Sequence, residues 1–94
     1  MNEADFNQML EKDGYDAAIT IEMAAGEVLD THTHDFDAAV LVLSGELTVT
    51  TADGTTTTCR AGDLFRLDNG IPHSENVGQD GVRFLVGRRQ VLSP

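Results

Sequence analysis

From residue 18 onward the chain alternates apolar and polar side chains in short runs, each closed by a polar or glycine-bearing turn. A period of two is the mark of strands, in which successive side chains point to opposite faces of a sheet. The runs are residues 18–23 (AITIEM), 27–34 (EVLDTHTH), 39–44 (AVLVLS), 46–51 (ELTVTT), 55–60 (TTTTCR), 63–68 (DLFRLD), 73–77 (HSENV) and 81–88 (GVRFLVGR). Eight short strands in succession predict an all-β domain, closed or two-layered. Asp53-Gly54 provides the positive φ of a tight hairpin turn, and Asn69-Gly70 marks a second turn just before His73.

Residues 3–12 (EADFNQMLEK) have a different period. Phe6, Met9 and Leu10 fall on one helical stripe, with acids early and Lys12 late, as the helix dipole favours. One short helix is not stable alone, so this one, ended at Gly14, is expected to cover the outside of the sheet. Residues 38–43 (AAVLVL) are apolar at both parities. One face should line the interior, and the other must be covered by the helix or by a second copy, which makes a homodimer the expected assembly.

Composition narrows the setting. The 94 residues suit one domain, residues 1–94, and 40% hydrophobic content is enough for one core. The longest apolar stretch, residues 38–43, is far below the roughly 20 residues of a bilayer-spanning helix, so no membrane association is expected. The opening MNEADF lacks the basic and apolar segments of an export signal. Cys59 has no second cysteine to pair with, which fits a reducing compartment and a cytoplasmic location. A formal charge of −10 repels phosphate backbones, which argues against nucleic acid as a partner. The acidity otherwise reads as a solvated surface.

The candidate chemistry is in the histidines. His32 and His34 sit two apart in a predicted strand, so they project to the same side, their Cβ atoms roughly 7 Å apart, and can reach one ion. Alone, such a pair more often lies on a solvated face than in a metal site. Its surroundings change this. Gly26 precedes His32 by six positions, Gly45 follows, and a second segment, GDLFRLDNGIPHSEN, carries Gly62, Gly70 and the third histidine, His73. Over residues 26–77 this spacing resembles the two motifs of the cupin superfamily.

The resemblance implies a double-stranded β-helix, or jelly-roll barrel, here with a short N-terminal helix. It implies a divalent metal ion (Zn, Fe, Ni, Mn or Cu) held by His32, His34 and His73. The chain departs from the pattern at Ala38, which stands where cupins usually have a glutamate ligand. Asp68 replaces a usual proline, with Pro72 nearby, and Val77 takes the place of an asparagine that sits one earlier, at Asn76. These last positions shape a turn. Asp37 and Glu75 are the carboxylates that could stand in for the missing ligand. Glu75 shares strand parity with His73, but the expectation is an exposed acid; Asp37 is expected to face solvent or cap a turn. Asp30 could orient an imidazole.

Cys59 reads as a small buried apolar group. Arg60 and Arg66 could draw an anion to the barrel mouth, although surface ion pairs are the expectation. Neither Ser44 nor Ser74 has the partners of a nucleophile triad. Phe36, Leu41, Phe65, Leu67 and Phe84 are expected to close the pocket. Three neutral imidazoles leave open coordination positions, which suits a metal-dependent enzyme acting on a small organic molecule, anionic ones included, and the resemblance to small cupins implies a dioxygenase or isomerase type of activity. The alternative is a non-catalytic module that binds or senses a small molecule, since no separate general acid or base is evident. A third reading is a structural barrel whose histidines do nothing.

Overall fold

The computed structural model describes residues 1–90. Helix α1 (Glu3–Lys12) is followed by β1 (Ile19–Met23), β2 (Val28–His32), β3 (Phe36–Thr51), β4 (Thr56–Arg60), β5 (Leu64–Leu67) and β6 (His73–Gln90). The fold is mostly antiparallel β-sheet with one short N-terminal helix.

Helix α1 begins where Asn2 caps it, the Asn2 side chain accepting the Asp5 amide at 2.8 Å. Glu3 and Asp5 lie in its first turn and Lys12 in its last. Its buried face, Phe6 and Leu10, packs on Ala39, Leu41 and Leu85. Burying a side chain the size of phenylalanine contributes about 1.5–3 kcal/mol, which is what holds so short a helix in place. Gly87 makes the approach possible: a side chain there would run into Leu10. The outer apolar face of residues 38–43 is therefore covered within the chain.

Eight predicted runs become six strands because two glycines bend the chain without ending it. Residues 39–44 and 46–51 merge into β3 through Gly45 (φ 77), and residues 73–77 and 81–88 merge into β6 through Gly81 (φ 75). Positive φ suits glycine, and here space demands it as well: a Cβ on Gly45 would collide with the Gly81 carbonyl. The β3–β6 register shifts at this point, with Val42 opposite Phe84 and Leu47 opposite Val77. The bends divide the sheet. The first half of β3 pairs with β5 and the second half of β6, and β1 lies beyond β6. The second half of β3 pairs with β4 and the first half of β6, and β2 lies beyond.

Both halves turn apolar residues toward one core that includes Ala38, Val42, Leu47, Val49, Val77, Phe84 and Val86. Inward parity is even before the β3 bend and odd after it, the displacement an inserted bulge residue produces. Leu41, expected in the pocket, is odd-numbered and precedes the bend, so it packs under the helix instead. Cys59 is buried in the core opposite Leu47, and burial pushes its thiol pKa up. The threonine run works as a cross-strand ladder, Thr48 to Thr58 at 3.1 Å and Thr50 to Thr56 at 3.2 Å. The Asp53 carboxylate closes that hairpin by accepting from the Thr51 hydroxyl at 2.6 Å and the Thr55 amide at 3.0 Å.

Candidate metal centre

His32 ends β2 and stands directly opposite His73 at the start of β6. His34 lies two residues beyond, where the chain has left the strand, and its carbonyl accepts the Gly70 amide at 2.8 Å. The Asn69-Gly70 turn is thus fastened to the H-x-H segment, which joins two parts of the sequence more than thirty positions apart. Ring centroids are separated by 4.3 Å (His32 to His73), 4.9 Å (His32 to His34) and 5.1 Å (His34 to His73). His73 is 1% exposed, and the other two are half-buried. One candidate ligand atom from each residue lies within 4.8 Å of the others.

The hydrogen bonds of these rings favour metal binding. His32 Nδ1 lies 2.6 Å from the Asp30 carbonyl oxygen, and His73 Nδ1 lies 2.9 Å from that of Ile71. A carbonyl only accepts, so each Nδ1 donates, and in the neutral ring the lone pair is left on Nε2. Asp30 thus orients His32, but through its backbone and not its carboxylate. Burial lowers the His34 pKa, and the neighbouring His32, His73 and Arg88 add to the effect against a smaller opposing pull from Asp35. The ring is held in the neutral form that a metal needs. Two nitrogens each about 2.1 Å from one ion lie at most about 4.2 Å apart, so side-chain rotations of a few tenths of an ångström would bring the set into coordination.

The three rings sit at one end of a cavity of about 190 Å³ that reaches between the two halves of the sheet. Phe36, Phe65, Leu67 and Phe84 line it, as the sequence suggested, together with Ala38, Val40 and Val86. His34 stacks on Phe36 at 4.7 Å. The two carboxylates named as replacements for the glutamate missing at Ala38 have separate fates. Glu75, expected to be exposed, faces the cavity, its Oε2 4.0 Å from His32 Nε2. Asp37 points to the opposite face of β3, where Asn69 donates to it from its amide at 2.9 Å and its side chain at 3.0 Å. Arg89 adds two further bonds, at 2.9 and 3.2 Å. Those bonds, led by the Asn69 side chain, pull the Asp37 carboxyl down to about 2. Asp37 caps the Asn69 turn and is no candidate ligand.

Neither Arg60 nor Arg66 reaches the cavity. Arg60 pairs with Glu46 at 3.3 Å and Arg66 with Asp13 at 3.2 Å. The cation that does line it is Arg88, over the Phe36 ring at 5.0 Å, which sequence reasoning missed. The signal available was its even parity with Phe84 and Val86 on β6.

A mostly antiparallel β-domain with a histidine cluster at the end of an internal apolar cavity is the class that fold and site together define. The sequence profile described as the cupin domain matches residues 19–87, and the chain belongs to that family. Among solved structures it is similar to a protein of unknown function from Rhizobium leguminosarum bv. viciae 3841, with TM-score 0.74 and 25% identity over 80% of this chain and 70% of that one. It is similar to the DMSP lyase DddQ from Ruegeria pomeroyi DSS-3, with TM-score 0.72 and 24% identity over 83% of this chain, which spans 40% of DddQ. The cupin domain of Schizosaccharomyces pombe Cnp3 gives TM-score 0.71 and 23% identity over 80% of this chain and 56% of that one. No curated protein matches the chain.

Proposed function

We propose that this chain closes as a jelly-roll barrel and holds a divalent metal ion through Nε2 of His32, Nε2 of His73 and a ring nitrogen of His34, in order to bind and act on a small organic molecule. The observation that carries the reading is the convergence of three imidazoles, two of them locked by backbone carbonyls with Nε2 free to coordinate. The donor set suits Zn, Fe, Ni, Mn or Cu. When bound, the ion would supply a Lewis acid with open positions for a ligand oxygen. The chain's own contribution is to keep the rings neutral and oriented, to exclude bulk water with the apolar walls, and to offer Glu75 as a carboxylate beside His32.

The DMSP lyase likeness is compatible with an enzyme, and the chain spans 40% of that protein. A binding or sensing role is the second reading, supported by the absence of any titratable cavity group, among the described residues, beyond the histidines, Glu75 and Arg88. Elemental analysis of purified protein, with X-ray absorption to count nitrogen ligands, tests the metal reading. About one ion per chain with three imidazoles is expected, lost in His73→Ala and in His32→Ala/His34→Ala. A full complement of metal retained in the double variant would refute it.

A further inference from the structure

The chain carries a formal charge of −10 and six basic residues, of which five are arginines. Four of these are paired: Arg60 with Glu46, Arg66 with Asp13, Arg83 with Glu22 and Arg89 with Asp37. Arg88 has no carboxylate partner among the described residues, and it is the one that lines the cavity. Its backbone position opposes Ala38 across the β3–β6 pair, so the cation and the small residue are neighbours on the same inward face. Ala38 contributes only a methyl group where the usual cupin glutamate would bring a carboxylate. With an ion of charge +2 on the histidines, the polar end would hold Arg88 and the ion against one acid, Glu75, an excess of positive charge within a strongly acidic protein. The other walls, among them Ile21, Met23, Val40, Phe65 and Phe84, are apolar. A cavity of about 190 Å³ has room for a small molecule.

We propose that the cavity selects a small carboxylic acid with a compact apolar body, its carboxylate held by Arg88 in the space Ala38 leaves beside the three histidines. A guanidinium suits this task because its planar fork matches a carboxylate and its charge is permanent. Inorganic phosphate fits poorly, since its remaining oxygens would be pressed against apolar walls. The proposal deepens the metal-site reading and rests on it for the second positive group, yet Arg88 and the apolar walls make a separable prediction.

The test is calorimetric titration of hexanoate, hexanamide and phosphate into metal-free and zinc-loaded protein, for the natural chain, Arg88→Met and Arg88→Lys. Arg88 is exposed, and Met keeps an unbranched apolar stem, so near-ultraviolet circular dichroism should be unchanged in both variants. Hexanoate should bind the natural protein at least about tenfold more tightly than hexanamide or phosphate, Arg88→Met should remove that preference, and Arg88→Lys should keep part of it. Equal binding of acid and amide, an undiminished preference in Arg88→Met, or no hexanoate binding to either form of the natural protein overturns the proposal. If zinc fails to bind but hexanoate still binds through Arg88, the metal reading falls and this one stands; zinc held by three histidines without acid selectivity has the reverse meaning.

Discussion

Along β3, Ala39 and Leu41 lie under helix α1 at 0% and 1% exposure, while Ala38 and Val40, one residue away on the other face, look into a cavity of about 190 Å³. The two faces have nearly the same composition and opposite packing. Outside, Phe6 and Leu10 fill the surface to contact, and Gly87 is small because Leu10 needs the room. Inside, apolar walls stop short of one another and end at three imidazoles, a glutamate and an arginine. The outer layer contributes contacts that hold the sheet, whereas the inner layer leaves volume that a ligand can fill. Stability and binding should therefore respond to different sets of substitutions.

The sharpest way to break this contrast is Phe6→Ala. Emptying so buried a position should destabilise by about 3–5 kcal/mol, enough to lower Tm by more than 10 °C in a chain of this size. A loss under about 1 kcal/mol in chemical denaturation would mean that the helix is not the clamp described. On the inner side, zinc at a hundred times its Kd should stabilise by about 2.7 kcal/mol. That gain should be removed by a chelator and should not occur in His32→Ala/His34→Ala; a thermal shift shared by that variant would place the ion elsewhere.

A smaller effect separates the two faces residue by residue. Ala39→Val should overpack the helix layer and cost about 1–3 kcal/mol. Ala38→Val, which only adds a group facing free volume, should change stability by less than about 1 kcal/mol while weakening hexanoate binding. Equal effects on denaturation midpoints would erase the distinction. The smallest expected change is with pH. The His34 pKa is lowered from 6.5 on folding, so the unfolded chain binds more protons just below that value. Metal-free protein should lose stability as pH falls through 6.5 toward the folded pKa and be insensitive to this group above it. His34→Gln should flatten that part of the pH profile, read from urea midpoints.

Much of the architecture is legible locally. The helix stripe, the Asp53-Gly54 hairpin and all the strand-forming runs are carried by neighbouring residues, whose alternation and turn chemistry need no distant partner. His32 and His34 share a side for the same reason, even though β2 ends at His32 and the second histidine lies beyond it. Cys59 also behaves as its isolated position suggests. Glu75 was harder, because its parity with His73 pointed inward but nothing local showed that an acid would be tolerated there. Only the facing His32 ring supplies a partner.

By itself the sequence determined where apolar and polar positions alternate, where the chain turns, and that two histidines travel together. It did not determine which of two alternating faces looks inward. That depends on the bends at Gly45 and Gly81, where β3 and β6 each change their inward parity and where, at Gly45, the two strands pack too closely for a side chain. A bend of this kind is a non-local event: a side chain at Gly45 is excluded by the Gly81 backbone, and one at Gly81 would press on the Met23 carbonyl at the end of β1. Through it the tertiary structure turned Leu41 outward, tied Asp37 to Asn69 and Arg89, and brought Glu75 and Arg88 to the histidines from the two halves of one long strand.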